Sequence, residues 1–245
     1  GIIRAGTGSY GNITLGAGPH EILEGTAGTE DNLTLNAIGG NVTVKNTVGY
    51  SSENINDLFV IGENDTAGAI DVTFNSTVEV DGDITIYATG VVTFDKQINV
   101  GGNLRIIGAE LIVFKEGVLV GGDIFLEANE INFQGAEESV QSTKVGGGTL
   151  TLRPTNMTYA ISLASPMFEA TTATLNISAA ELATFKTGFE TIIIGHKGVD
   201  GHTAAGAVGE VRIGVKTQNQ NTFFDDVEVY DGTIKVEDYT NAAMN

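Results

Sequence analysis

The chain of 245 residues has no cysteine, no tryptophan and only 3 prolines, and its 12 lysines and arginines face 31 aspartates and glutamates. The lack of cysteine removes disulfides, thiol catalysis and thiolate metal ligation, so stability rests on packing and hydrogen bonds. Scarce proline beside 33 glycines excludes collagen, which needs glycine at every third position together with abundant proline. A net charge of −19 repels phosphate backbones and anionic headgroups, which argues against nucleic acid and membrane surfaces as partners and for cations or other proteins. No apolar run approaches the ~18 residues of a membrane span, and no membrane insertion is expected. The start, Gly1-Ile2-Ile3-Arg4, lacks methionine and the basic-then-apolar profile of a signal peptide, which reads as a processed chain or an excised fragment. What the chain does have, 41% hydrophobic residues, is enough to bury a core.

Internal repetition organises these residues. Residues 81–100, 101–120 and 121–136 read DGDITIYATGVVTFDKQINV, GGNLRIIGAELIVFKEGVLV and GGDIFLEANEINFQGA, a period of 20 residues. Gly82, Gly102 and Gly122 align, as do Asp83, Asn103 and Asp123, and the column Phe94, Phe114 and Phe133 extends back one period to Phe74. Gly39-Gly40-Asn41-Val42 and Gly147-Gly148-Thr149-Leu150 repeat the opening of the unit outside the strict run. Within each unit apolar and polar residues alternate, as in Ile84-Thr85-Ile86-Tyr87, the period-2 pattern of strands buried on one face. Three short strands fit per unit, at about 84–88, 91–94 and 98–100, joined by corners too short for hairpins between neighbours.

This pattern predicts an all-β fold, a right-handed parallel β-helix whose coils of about 20 residues stack at roughly 4.8 Å, each stabilised by its neighbours. About twelve coils would make a rod roughly 55–60 Å long. Residues 1–245 read as a single β-solenoid domain, with N-terminal coils or a capping segment over 1–30, regular coils over 31–153, and decorated coils over 154–245. The stack predicts residue ladders: Phe74, Phe94, Phe114 and Phe133 piled inside, and Asp83, Asn103 and Asp123 at a corner, with the Asn103 amide donating to both carboxylates. Gly82, Gly102 and Gly122 are expected to supply the left-handed or tight backbone of that corner. One helix is expected near 179–187, with Ser178 as N-cap, Glu181 closing a capping box and Gly188 ending it.

The stretches TLTLRP (149–154), ATLNISAAELATFKTGFETIIIGHKG (173–198), AVGEVRIG (207–214) and FFDDVEVYDGTIKVE (223–237) resemble the glycine-rich β-helical segments of large bacterial surface and secreted proteins of filamentous-haemagglutinin type. That resemblance implies an extracellular, secreted or cell-surface stalk or adhesin, and it brings no catalytic residues with it.

Candidate chemistry is sparse. His196 and His202 flank a glycine-rich loop with Asp200 between them, a spacing too loose to define a transition-metal site, and His20 has no partner in sequence. No cofactor is expected. Calcium is the one ion left as a candidate, at Asp225-Asp226 with Asp231, at Asp81-Gly82-Asp83 or at Glu53-Asn54 through Asp57, although neither an EF-hand loop nor a glycine-aspartate calcium repeat is present. A polysaccharide lyase or hydrolase on the same fold would need carboxylates and basic residues clustered on one outward sheet. The outward positions are Thr85, Tyr87, Arg105, Ile107, Phe125 and Glu127, where Arg105 and Glu127 are expected to form a surface ion pair and Ile107 and Phe125 a small apolar patch. Asn12, Asn32, Asn41, Asn64, Asn75, Asn156 and Asn176 head glycosylation sequons. The function expected is that of a noncatalytic structural or adhesive rod, which continues into a longer chain or associates end to end and meets a cell-surface glycan or protein receptor, with a polysaccharide-acting enzyme as the alternative.

Overall fold

A computed structural model describes residues 1–4, 11–16, 31–37, 39–49, 55–61, 71–164, 174–196, 209–215, 225–230 and 233–238. Among these the chain is all-β with one short helix, and every strand pair is parallel. The longest path of paired strands runs β1 (Ile2–Arg4), β3 (Leu33–Asn36), β5 (Leu58–Ile61), β8 (Ile84–Tyr87), β11 (Leu104–Phe114), β13 (Ile124–Phe133), β15 (Thr149–Arg153), β18 (Thr191–Gly195) and β20 (Val227–Tyr230). A second path of β2 (Gly11–Leu15), β4 (Gly39–Val44), β6 (Val72–Phe74) and β9 (Val91–Phe94) joins the first at β11, which makes one 13-stranded sheet. Two 4-stranded sheets complete the fold: β14 (Val140–Ser142), β12 (Val118–Val120), β10 (Ile98–Val100) and β7 (Val78–Val80), then β17 (Thr174–Ile177), β16 (Ala160–Leu163), β19 (Glu210–Val215) and β21 (Thr233–Asp238).

Alternation in sequence becomes alternation in burial. In β8 Ile84 and Ile86 are buried while Thr85 and Tyr87 are half-buried, and one continuous core gathers the inward Ile, Val, Leu and Phe of all the sheets. Register follows the repeat: Ile98 pairs with Val78 and Val118, Leu104 with Ile84 and Ile124, and Phe94 with Phe74 and Phe114. The rings of Phe74, Phe94, Phe114 and Phe133 therefore stack nearly parallel, with centroids 5.0, 5.3 and 5.5 Å apart. Phe185 meets the last ring edge-on at 5.1 Å and closes the column.

Several expectations need correction. The first two strands of the repeat are separate at β8 and β9 but run on as single strands in β11 and β13, with a register shift between Ile106 and Ala109 where Gly108 takes a left-handed φ of 81°. Among the described residues the longest path holds nine strands; the 20-residue step holds from β6 and β7 through β12, shortens to 19 along the second part of β13, and is lengthened by insertions in the rest of that path. The corner glycines Gly82, Gly102 and Gly122 are not left-handed; they are needed because a Cβ on Gly102 would stand 2.2 Å from Asp83 Oδ1, and one on Gly122 would stand 2.3 Å from Asn103 Oδ1. The preceding glycine is tighter still, since a Cβ on Gly121 would lie 2.0 Å from the Gly101 carbonyl oxygen.

The helix α1 spans Ala179–Leu182, not 179–187. Its capping box forms between Ser178 and Glu181, but the chain leaves the helix at Ala183, because Phe185 bridges to Val140 and turns inward against Phe133. Gly188, with φ 117°, thus lies beyond the helix instead of ending it. The preceding strand is also out of sequence order: β17 pairs with β16, and its other flank lies against β13 with no backbone ladder between them. Side chains fill that seam. Glu130 accepts the Asn176 N–H at 3.3 Å, and Glu181 accepts those of Phe133 at 3.2 Å and Ser178 at 2.8 Å.

Candidate functional site

The outward face of the long path carries the densest functional chemistry. Two-residue alternation turns Phe59, Thr85, Arg105, Phe125 and Thr151 outward in one register column. Tyr87 and Ile107 pair beside them, as do Glu127 and Arg153. Arg105 does not behave as expected. Arg105 lies over one Phe125 ring contact at 4.7 Å from the centroid and Arg153 makes another at 4.6 Å, so one ring holds two cations. The Glu127 carboxylate goes to Arg153, whose Nε and Nη2 both reach Oε2, at 2.7 and 2.6 Å. The expected Arg105–Glu127 pair is absent, since Arg153 approaches Glu127 from the next strand, where the two residues are in direct register. Phe125 is accordingly part of a cation–ring cluster and not of an apolar patch. Phe59 and Tyr87 add a tilted aromatic pair at 6.1 Å on the same face.

Two polar ladders border the strand starts. In the first, each side-chain oxygen accepts the backbone N–H of its counterpart in the following repeat: Asn32 from Asp57 (3.1 Å), Asp57 from Asp83 (2.8 Å), Asp83 from Asn103 (2.6 Å), Asn103 from Asp123 (2.9 Å) and Asp123 from Thr149 (3.0 Å). The expected column of Asp83, Asn103 and Asp123 is there, with its chemistry altered on one side. Asn103 Nδ2 donates to Asp83 at 3.1 Å, but towards Asp123 it is the Asn103 oxygen that accepts. A second ladder runs Asn12, Asn41, Asp71 and Val91 in the same sense. Ion pairs also link neighbouring repeats, Lys96–Glu116 at 2.8 Å and Lys115–Asp95 at 2.7 Å outside the ladders and Lys144 at 2.9 Å from the ladder residue Asp123. A hydrogen bond from Lys115, then one from Asn75, holds the Asp95 carboxyl below its ordinary value against the opposing effect of burial.

The acidic residues proposed for calcium are otherwise engaged or outside the described residues. The Asp225 carboxylate accepts the N–H groups of Gly188 at 2.9 Å and Phe189 at 3.1 Å, Asp83 and Asp57 serve the ladder, Asp226 accepts from Ile192 through its main-chain carbonyl only, and Asp231, Glu53 and Asn54 are not described. Among the described residues no group of three or more His, Asp or Glu is arranged to hold a metal ion. His196 donates its backbone N–H to the Tyr230 carbonyl, while Asp200, His202 and His20 lie outside the described residues. Of the sequon asparagines, Asn12, Asn32 and Asn41 belong to the ladders, Asn75 donates to Asp95, and Asn64 is not described.

One titratable group stands apart. Glu130 in the β13–β17 seam is pushed up to about 7, chiefly by burial and further by the Glu181 charge, against the lowering effect of the Asn176 N–H. Both carboxylates are occupied by backbone donors of the seam.

These features define an all-β protein of parallel strands built on an internal repeat. Compared with protein-family models, curated proteins and solved structures, the chain matches none of them.

Proposed function

We propose that the chain winds as a right-handed parallel β-helix and acts as a noncatalytic structural and adhesive rod, a stalk segment of a surface adhesin or a subunit of a head-to-tail fibre outside the cell. The observation that carries this reading is the four-ring phenylalanine column, in which each repeat lays the same side chain on its predecessor. Right-handedness follows from the strong preference of parallel crossovers for that hand. A stack of this kind has two open ends whose strands can pair with more chain or with another molecule, as an adhesin stalk or a fibre requires. Ladders, ion pairs and stacked rings all link one repeat to the next, which favours a stiff element over a mobile one. Resemblance of 149–237 to adhesin segments supports the extracellular assignment.

The alternative, a polysaccharide lyase or hydrolase, is favoured by the carboxylate and two guanidiniums on the outward face. It is the weaker reading because Glu127, a carboxylate of that face, is engaged in an ion pair with Arg153. Small-angle scattering and negative-stain electron microscopy of the purified chain test the proposal. Rods or end-to-end filaments of constant width are expected, and a compact globule with no long axis overturns it.

A further inference from the structure

The chain has four arginines: Arg153 pairs with Glu127, Arg212 with Glu210, and Arg4 lies at the outer strand β1. Arg105 differs from these. It is exposed in mid-sheet, it has no carboxylate partner among the described residues, and its guanidinium is laid against Phe125. In a protein with a net charge of −19 this guanidinium is braced by a ring and not by a carboxylate among the described residues. Contact with the ring removes part of the rotamer freedom that an exposed arginine would otherwise lose on binding. A planar fork held in this way matches a carboxylate through two parallel hydrogen bonds. Tyr87 stands on the adjacent strand two residues along, about 8 Å away by strand spacing and rise, with Ile107 beside it. Both are half-buried and present apolar surface next to the cation. An aromatic face and an aliphatic side chain suit the C–H face of a sugar ring, and one acidic sugar unit can reach both elements.

We propose that the face formed by Arg105, Tyr87 and Ile107 binds an acidic saccharide of the uronate class, with the sugar carboxylate on the Arg105 guanidinium and the ring on Tyr87. This deepens the adhesive part of the function proposed above by naming the ligand chemistry, and it rests on that part. Arg153, itself held by Glu127, contacts the same Phe125 ring and supports the site without touching the ligand.

The test is titration calorimetry of the full chain with tri-galacturonate, with its fully methyl-esterified form and with a sulfated oligosaccharide of equal length. Tri-galacturonate is expected to bind at least tenfold more tightly than the ester and than the sulfated sugar, the local Arg105 contact outweighing the repulsion of the −19 net charge. Arg105→Gln is expected to lose at least tenfold and Arg105→Lys an intermediate amount, while Lys45→Gln, a cation elsewhere, is unchanged. Far-UV circular dichroism and the urea midpoint establish that the variants are folded; should Arg105→Gln not fold, the comparison of acid with ester on the unaltered chain still decides. No binding of tri-galacturonate, equal binding of the ester or of the sulfated sugar, or full binding by folded Arg105→Gln each overturns the proposal. A rod seen by scattering with no saccharide binding would retire this inference while leaving the structural reading intact, and a globule that binds would do the reverse.

Discussion

Replacing rings in the phenylalanine column gives a graded prediction. Phe114 is 1% exposed and has a stacked ring on both sides, at 5.3 Å from Phe94 and 5.5 Å from Phe133. Phe74, fully buried as well, has a ring only on its Phe94 side, at 5.0 Å. A Phe→Leu change keeps most of the volume and deletes the ring, so its cost tracks the number of ring pairs lost, each worth about 0.5–1.5 kcal/mol beyond area burial. Phe74→Leu should therefore cost about 1 kcal/mol and Phe114→Leu about 2 kcal/mol. Phe114→Ala adds the cavity and should cost about 3–5 kcal/mol, a large part of the roughly 5–15 kcal/mol by which a domain is stable. Equilibrium urea unfolding followed by far-UV circular dichroism measures these values, with an unchanged slope showing that the same surface is exposed in each variant. A double-mutant cycle completes the test: Phe94 and Phe114 should couple by about 0.5–1.5 kcal/mol, and Phe74 with Phe133, two rings apart in the column, by close to zero. Equal costs for Phe74→Leu and Phe114→Leu, or a coupling of Phe74 to Phe133 as large as that of the neighbours, would refute the reasoning.

Other perturbations follow from the same structure. Gly121→Ala drives a methyl into the Gly101 carbonyl and should cost about 1–3 kcal/mol or more by urea midpoint, whereas Gly146→Ala, with nothing near its Cβ but a φ of 87°, should cost only the roughly 1–2 kcal/mol of left-handed backbone. Asn103→Asp puts a third carboxylate between those of residues 83 and 123, and should lower the midpoint at pH 7 in low salt, with recovery at high salt; insensitivity to salt would count against a ladder of like charges. Glu130 holds its proton in the folded chain to about 7, above its unfolded value, so its contribution to stability is complete below that unfolded value and is lost as pH rises through 7. Glu130→Gln should flatten this alkaline decline between pH 5 and 8.5, and an unchanged profile would show that the seam does not titrate there. Asp95 has the opposite sign: held low by Lys115 and Asn75, it stabilises the fold above its unfolded value and stops doing so as pH falls through its folded one, so Lys115→Gln should move the acid limb of the unfolding profile upward.

Legibility in the sequence depended on whether a residue's partner stands one unvaried repeat away. From Phe74 to Phe133 the same residue types recur at a step of 20 residues, shortened by one only before Phe133, so the column of rings, the β strands and the Asp83–Asn103–Asp123 corner could all be read. The rest of that ladder, Asn32, Asp57 and Thr149, escaped because insertions change the step to 25 or 26 residues. The capping box at Ser178 is local and was legible. The length of that helix was not, because it is cut short by contacts of Phe185 with Val140 and Phe133, which nothing nearby in the chain announces. The place of β17 is likewise set by a strand distant in sequence, β13, through Glu130 to Asn176 and through Glu181 to Phe133, and strand propensity does not say which sheet edge a strand will join. On the outward face the residue types were identified but their pairing was not, since Arg153 arrives at Glu127 and Phe125 from a strand beyond the regular run.

The two ladders also have a direction in time. In every rung the acceptor oxygen belongs to the residue nearer the N-terminus and the donor N–H to the later one, from Asn12 to Val91 and from Asn32 to Thr149. A polypeptide emerging N-terminus first, from a ribosome or through a translocation pore, carries each latch already exposed on the part that has wound before the segment that engages it is released. Each rung spans only one repeat and can close as soon as the second of its two residues is delivered, so the molecule can be zipped up repeat by repeat as it emerges.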